Sequence, residues 1–532
     1  MSEKRLYLKK NLVMEPLVNQ WYAWTMLLTP HTLAMIYSNW HRKIMESYIK
    51  SPRMHANAVK NPKMIGGPFM DLPGDQSDKV KELMAKTGEA SADLTEMAAA
   101  IKELDTMLAT EAKGNSLRPL YDKVPELLKG FVELGYDLNN NPSIRFIEAL
   151  LYHSKYYNTS LQSIQLALVN GDDRPFVLST PRFPAEDNIH LNIPFASESL
   201  DRLFSMRETA QPLSYVEDLI PEDPKKRALF ETFFTEEAPA VRGHDRANIE
   251  GIRVRYYGHA TIVIESANCT IMCDPVVSYP IDDTTVPRYT YEDLPEVIDY
   301  VVITHNHQDH ILFETLIPLR HKIKNFLVPR CNGGTLQDPS IKRTLESVGF
   351  KNVIEVDELE SIEVPDGTIT GLPFFGEHGD LHIRSKLAWH VQLKGRTAVC
   401  AADSNNLSPE MYAKVREIFG PVDRLFLGME CAGAPMSWLY GPLLTKPLER
   451  RQDQERRLDG TDCELGLVLI EMMEARQVYI YAMGMEPWLT FVSSISYTEK
   501  SKPIVESNAL IEACNKKGIV AKRLFGQDEM LW

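Results

Sequence analysis

The stretch His305-Asn306-His307-Gln308-Asp309-His310 follows the apolar run Val301-Val302-Ile303. Three histidines and an aspartate, all strong metal ligands, thus stand where a buried strand ends. Side chains alternate faces along a strand, so His305 and His307 point the same way. Once the chain turns out of the strand, Asp309 and His310 can aim at a second point close by. One short segment can therefore supply two ligands to each of two adjacent cations. Only 14 histidines occur in 532 residues, so this clustering is a metal-site signal rather than scatter.

The surroundings of that segment alternate strands with helices. Strand patterns lie at 252–257 (apolar alternating with basic residues), 261–265, 270–273, 300–303, 325–328, 353–356, 388–393, 398–401 and 424–427. Helical patterns lie at 341–347 and 409–418. This order predicts an α/β domain over 248–532. The first 240 residues differ. A proline-free, Lys/Glu/Leu/Ala-rich stretch predicts a helix from Asp78 to Ala112. Pro142 at a first-turn position predicts another through Leu150, and Phe176–Leu178 is strand-like. Trp21, Tyr22 and Trp24 read as core. His31, His41, His55, His153 and His190 are isolated and read as surface or satisfied core groups. Residues 212–247 carry Pro212, Pro221, Pro224 and Pro239 among acidic residues, which suits an extended connection between domains.

The net charge of −15 argues against a nucleic-acid partner and against an anionic membrane surface. Seven cysteines show no iron–sulfur or zinc-ribbon spacing, so reduced thiols in a cytoplasmic protein are expected. The apolar stretch near the N-terminus is broken by Glu15, Asn19, Gln20 and Pro30 and is expected to be neither secretion signal nor membrane span.

Gly258-His259-Ala260-Thr261, then Asp274-Pro275, then His305 to His310 resemble successive motifs of the metallo-β-lactamase fold. The resemblance implies an αββα sandwich with a two-metal site at one edge, beside a separate mixed α+β N-terminal domain. In that fold a histidine, a bridging aspartate and a last histidine follow from later strand ends. Asp403, after the apolar run 398–402, stands where the bridging aspartate belongs. The first histidine position reads Gly376-Glu377-His378-Gly379. Glu377 and His378 are neighbours and are not expected to reach one ion together from an extended backbone. His378 is what a zinc hydrolase would use, and Glu377 would make an oxygen-richer site. The last histidine is missing, because none occurs after His390. The segment expected to hold it runs from Tyr479 to Glu486. A metal held by Asp309 and His310 then keeps more open positions than hydrolytic zinc needs.

In this respect the chain resembles the dinuclear-iron oxygenases of this fold, found for example in chloramphenicol biosynthesis. They β-hydroxylate amino acids tethered as thioesters to nonribosomal peptide synthetase carrier domains, in antibiotic pathways. The resemblance implies His305, His307 and Glu377 on one iron, Asp309 and His310 on the other, and Asp403 bridging, with Glu377 also tuning catalysis. It further implies dioxygen as co-substrate and an aryl amino acid such as p-aminophenylalanine. The N-terminal domain over 1–240 is expected to serve dimerisation or carrier docking, in a homodimer. No GxGxxG follows a strand and no ferredoxin pattern occurs, so a separate reductase is expected. His259 is expected to hydrogen-bond near the site and Asp274 to brace the ligand loop. His382 and His390 are expected to be structural, and Glu449 to Asp459 to be a solvated helix face or loop. Two competing functions are a zinc or manganese hydrolase and an inactive carrier-binding scaffold.

Overall fold

The computed structural model describes residues 3–62, 64–282 and 284–532. Two seven-stranded sheets face each other. The first runs Val353–Val356, Ile323–Pro329, Ile298–Val302, Thr270–Cys273, Ile262–Glu265, Arg253–Tyr256, Asp528–Leu531. The second runs Ser361–Val364, Gly367–Leu372, Ala388–Leu393, Arg396–Cys400, Arg424–Gly428, Gln477–Tyr481, Val520–Arg523. Each sheet has a parallel half and an antiparallel half. Buried on both faces, the central strands read as continuous apolar runs. Ile264, Ile271, Val302, Leu327, Trp389, Val391 and Phe426 fill the space between the sheets. Helices Pro409–Phe419, Cys463–Met472 and Lys502–Lys516 cover the outer face of the second sheet. This is the αββα sandwich.

The outer face of the first sheet is covered from the N-terminal half. One continuous core joins Trp21, Met35, Ile101 and Phe204 to Val301, Phe313, Phe326 and Tyr440. The basic residues of the 253–256 strand are buried by other partners, Asp245, Glu265 and Asp293. Arg253 and Arg255 are buried, and both reach the fully buried Glu265, at 3.0 and 2.9 Å. The N-terminal half holds a four-stranded antiparallel sheet in the order Trp21–Tyr22, Leu12–Val18, Gln162–Leu168, Asn188–Leu191.

Four expectations for this half are corrected. The 78–112 helix is two helices, Ser77–Ala90 and Ala92–Glu111, broken at Ser91. Residues from Pro142 form a strand, Pro142–Phe146, paired with Val132–Tyr136, and the helix starts only at Glu148. The Asn139-Asn140-Asn141 run is a turn, with Asn140 at φ 63°, and turn chemistry wins over the proline cue. Phe176–Leu178 is not a strand. The 212–247 stretch is structured, with a helix Pro224–Glu231 and buried Val216, Phe230 and Phe233. Trp21, Tyr22 and Trp24 are core as expected.

Candidate metal centre

The strand ends Val302, Cys273, Cys400, Gly428 and Tyr481 all lie along one edge of the sandwich. The chain leaves these ends sharply. His259, Asp274, Glu377, Ala402 and Ala482 all have positive φ, between 39° and 65°. Non-glycine residues in this region carry strain, and such strain concentrates at functional sites. At Glu377 the turn is prepared by Gly376 at φ 77°, where a Cβ would stand 2.5 Å from Asn405 Cβ.

Three sets of ligand atoms converge here, each set within 4.8 Å: His305, His307, Glu377 and His378; His305, His310 and Asp403; and His259, Asp309 and His310. Asp403 Oδ2 lies 3.1 Å from His310 Nε2 and 3.7 Å from His305 Nε2, so the carboxylate sits between the two halves of the site. Glu377 Oε1 lies 3.0 Å from His307 Nδ1, and Oε2 lies 3.9 Å from His305 Nε2. The structure thus brings together all six residues singled out as ligands. It also corrects the premise that separated Glu377 from His378. The backbone there is left-handed rather than extended, and both side chains face the same group, with His378 Nδ1 3.2 Å from Glu377 Oε2.

The histidines are orientated by their other nitrogens. Thr304 Oγ1 donates to Asp274 Oδ2 (2.6 Å), so it can only accept from His305 Nδ1 (3.0 Å). His310 Nδ1 donates to Asp274 Oδ2 at 2.8 Å, and His307 Nε2 meets the Tyr440 hydroxyl at 2.9 Å. That leaves His305 Nε2, His310 Nε2 and His307 Nδ1 facing the interior. Such outer partners fix tautomer and ring plane, as in metal sites generally. Asp274 braces the ligand loop as expected and also holds the Thr304 N–H (2.7 Å).

His305 Nε2, His310 Nε2, Glu377 Oε2 and Asp403 Oδ1 are buried without hydrogen-bond partners. Buried polar atoms are ordinarily paired, so converging orphans of this type fit two cations. The donor set of imidazole plus carboxylate suits iron. Burial pushes the His305 pKa far down and so keeps the ring neutral, with His310 and His307 adding to the effect. Burial also lifts the Glu377 carboxyl to about 7, against the pull of His307.

His259 is close to the site, but its tautomer makes it a donor. Its Nδ1 accepts the Gly484 N–H (3.2 Å), so the neutral ring carries its proton on Nε2, 3.4 Å from Asp309 Oδ2. Ala482 N–H in turn donates to His259 O at 2.9 Å. The segment that would carry the last histidine is therefore stitched to His259, and of residues 479–486 only Ala482 lines the cavity. His382 is exposed, and His390 is buried against Phe419 within its strand; neither joins the ligand sets. The charged run is not simply solvated: Arg456 Nε donates to Gly379 O (2.7 Å) and Arg457 Nε to Ala432 O (3.0 Å). Tyr440 was not foreseeable, since it lies 133 positions after His307; Thr304, next to the motif, could have been.

A family signature described as the diiron non-heme beta-hydroxylase N-terminal domain matches residues 7–239, and a beta-lactamase superfamily domain matches 270–437. The chain is 38% identical over 528 residues to the 4-amino-L-phenylalanyl-[CmlP-peptidyl-carrier-protein] 3-hydroxylase of Streptomyces venezuelae, covering 98% of each chain. It superposes on the crystal structure of CmlA, a diiron beta-hydroxylase from Streptomyces venezuelae, with TM-score 0.93, 37% identity and full coverage of both chains. The CmlA E377D mutant gives TM-score 0.91 at 36% identity, covering 99% of this chain and 100% of that one.

Proposed function

The chain belongs to the diiron non-haem β-hydroxylases, and on that premise we propose that it hydroxylates the β-carbon of an aryl amino acid held as a thioester on a carrier domain. The first substrate to test is p-aminophenylalanine on a nonribosomal peptide synthetase carrier, after the activity named for the Streptomyces venezuelae relative. Two iron ions supply dioxygen activation and oxidation at carbon. His305, His307 and Glu377 would hold one, Asp309 and His310 the other, and Asp403 would bridge them. One oxygen atom enters the substrate C–H bond, and the other leaves as water, taking an electron pair from a separate reductase and two protons.

The observation that carries this reading is the open side of the site, where the segment that would hold a last imidazole lines the cavity with Ala482, which has no ligand atom. Around that opening the chain's own groups set geometry. Asp274, Thr304 and Tyr440 aim the ligand nitrogens, and His259 points an N–H at Asp309. The cavity at the site, about 320 Å³, carries Pro435, Trp438, Leu439, Leu458 and Ile495 on its wall beside the ligand residues, an apolar surface suited to a ring.

The N-terminal 240 residues serve dimerisation or carrier docking in this proposal, and the protein works in the cytoplasm. Among the described residues no helix is long and apolar enough to cross a membrane. Ile65 and Gly66 reach the cavity wall, so the N-terminal half takes part in the entrance. A hydrolytic reading would recruit His378, whose Nε2 is buried and unpartnered.

The test is turnover with labelled dioxygen and a chemical reductant. Incorporation of one labelled oxygen into carrier-bound p-aminophenylalanine, but not into the free amino acid, is expected. Equal turnover of the free amino acid would refute carrier dependence. A Glu377→Ala variant with unchanged iron content would refute the ligand assignment.

A further inference from the structure

Among the residues lining the cavity, one acidic side chain stands outside the ligand sets. Glu430 follows the strand Arg424–Gly428, and its backbone carbonyl accepts the Gly460 N–H at 2.8 Å. A Cβ built on Gly460 would lie 3.4 Å from Asp403 O and 3.5 Å from Glu430 O. The backbones of Asp403 and Glu430 thus flank the same glycine, and both residues line the cavity. The lining contains no lysine or arginine, and among the described residues no basic side chain pairs with Glu430. A largely buried carboxylate without a counter-cation is costly unless hydrogen-bond donors hold it. Burial indeed pushes its pKa up.

The carboxylate is held with care. Oε2 accepts the N–H groups of Ala432 (2.9 Å) and Gly433 (2.8 Å), and Oε1 accepts the Tyr497 hydroxyl (3.0 Å). A carboxylate has about four lone-pair positions. Three are used, and Oε1 keeps one. Glu430 remains partly exposed, on the cavity side. Beyond the ligand residues the wall mixes apolar Ile65, Pro435, Trp438, Leu458 and Ile495 with Ser493 and Ser494. An aromatic ring with a bare edge would complement that wall and leave the last Oε1 lone pair unsatisfied. A ring bearing an N–H donor would satisfy it.

We infer that Glu430 is the residue that selects an amino group on the substrate's ring, its carboxylate accepting a hydrogen bond from the aryl N–H. This rests on the aryl amino acid reading above. With the β-carbon at the metal pair, the ring projects along the cavity, and its far edge meets Glu430. A hydrogen bond to a charged acceptor contributes about ten- to hundredfold in discrimination, more when its absence leaves a buried group unpaired.

The test uses the iron-loaded enzyme and a carrier loaded in turn with p-amino-, p-nitro- and unsubstituted phenylalanine. Wild type is expected to show the highest kcat/KM for p-amino, and the lowest for p-nitro, which offers only acceptors. Glu430→Leu is expected to shrink the p-amino over unsubstituted ratio by about ten- to hundredfold, and Glu430→Gln to shrink it less. The ratio is internal to each variant, so a general loss of folding does not imitate it. Wild type turning over p-nitro as well as p-amino would overturn the inference without recourse to a variant. So would a Glu430→Leu ratio equal to wild type, or equal losses on both substrates, which would place Glu430 on the α-amine instead. Failure of wild type on all three substrates would overturn the aryl amino acid reading itself.

Discussion

Arg174→Met removes the cation that ties the N-terminal half to the helix after the ligand segment. Arg174 donates to Glu314 Oε1 and Oε2 at 2.9 and 2.7 Å, and a further short bond joins it to Glu15. Its guanidinium also lies 3.8 Å over the Phe491 ring. Glu314, 2% exposed, sits in the helix Phe313–Leu319, which begins a few residues beyond His310. Glu15 keeps Arg182, at 2.6 and 3.1 Å. Among the described residues Glu314 keeps only the Tyr22 hydroxyl at 3.0 Å. The variant therefore leaves one buried carboxylate uncompensated, a loss of about 3–5 kcal/mol. Urea denaturation should show a lower midpoint with unchanged slope. Arg174→Met with Glu314→Gln should recover a large part of it. A single variant within about 1 kcal/mol of wild type, or a double variant no better than the single, would refute the reasoning.

Glu148, 5% exposed and accepting the Ser340 N–H, is lifted by burial to about 7. The folded pKa is raised, so its charged form destabilises the fold above that pH and not below the ordinary carboxylate value; Glu148→Gln should gain up to about 3 kcal/mol at pH 8 and little at pH 4 by denaturant titration. Metal loading of the apoprotein should weaken as pH falls through about 7, where Glu377 takes up a proton, and loading should release protons measurable by calorimetry in buffers of different ionisation enthalpy; pH-independent loading would contradict this. Ala482→His, at a φ of 52° that histidine tolerates, should close the open side, raising zinc retention and lowering oxygenation at least tenfold. Retained hydroxylation at wild-type rate would show that the open side is not needed.

Much of the site was legible because it is local. His305 to His310 carry their own geometry, and Asp403 closes an apolar strand. Most strands between 252 and 428 were placed within two residues, since burial on both faces gives unbroken apolar runs. What the sequence hid depends on the backbone or on distant partners. The choice between Glu377 and His378 looked exclusive only under an extended backbone, and the left-handed turn at Glu377 carries no composition signal beyond the flanking glycines. The helix expected from Pro142 was a strand because its hairpin partner lies upstream, at Val132–Tyr136. The alternation of Arg253 and Arg255 with apolar residues marked a strand but not that both would be buried on Glu265. Tyr440 and Glu430 reach the cavity from loops with no motif.

The most direct test is metal analysis of the protein purified from iron-replete cells, with an optical spectrum of the same sample. A paired-iron site open at Ala482 predicts about two irons per chain, little zinc, and near-ultraviolet absorption tailing into the visible. Stoichiometric zinc in a colourless protein, or a single cation per chain, would contradict it.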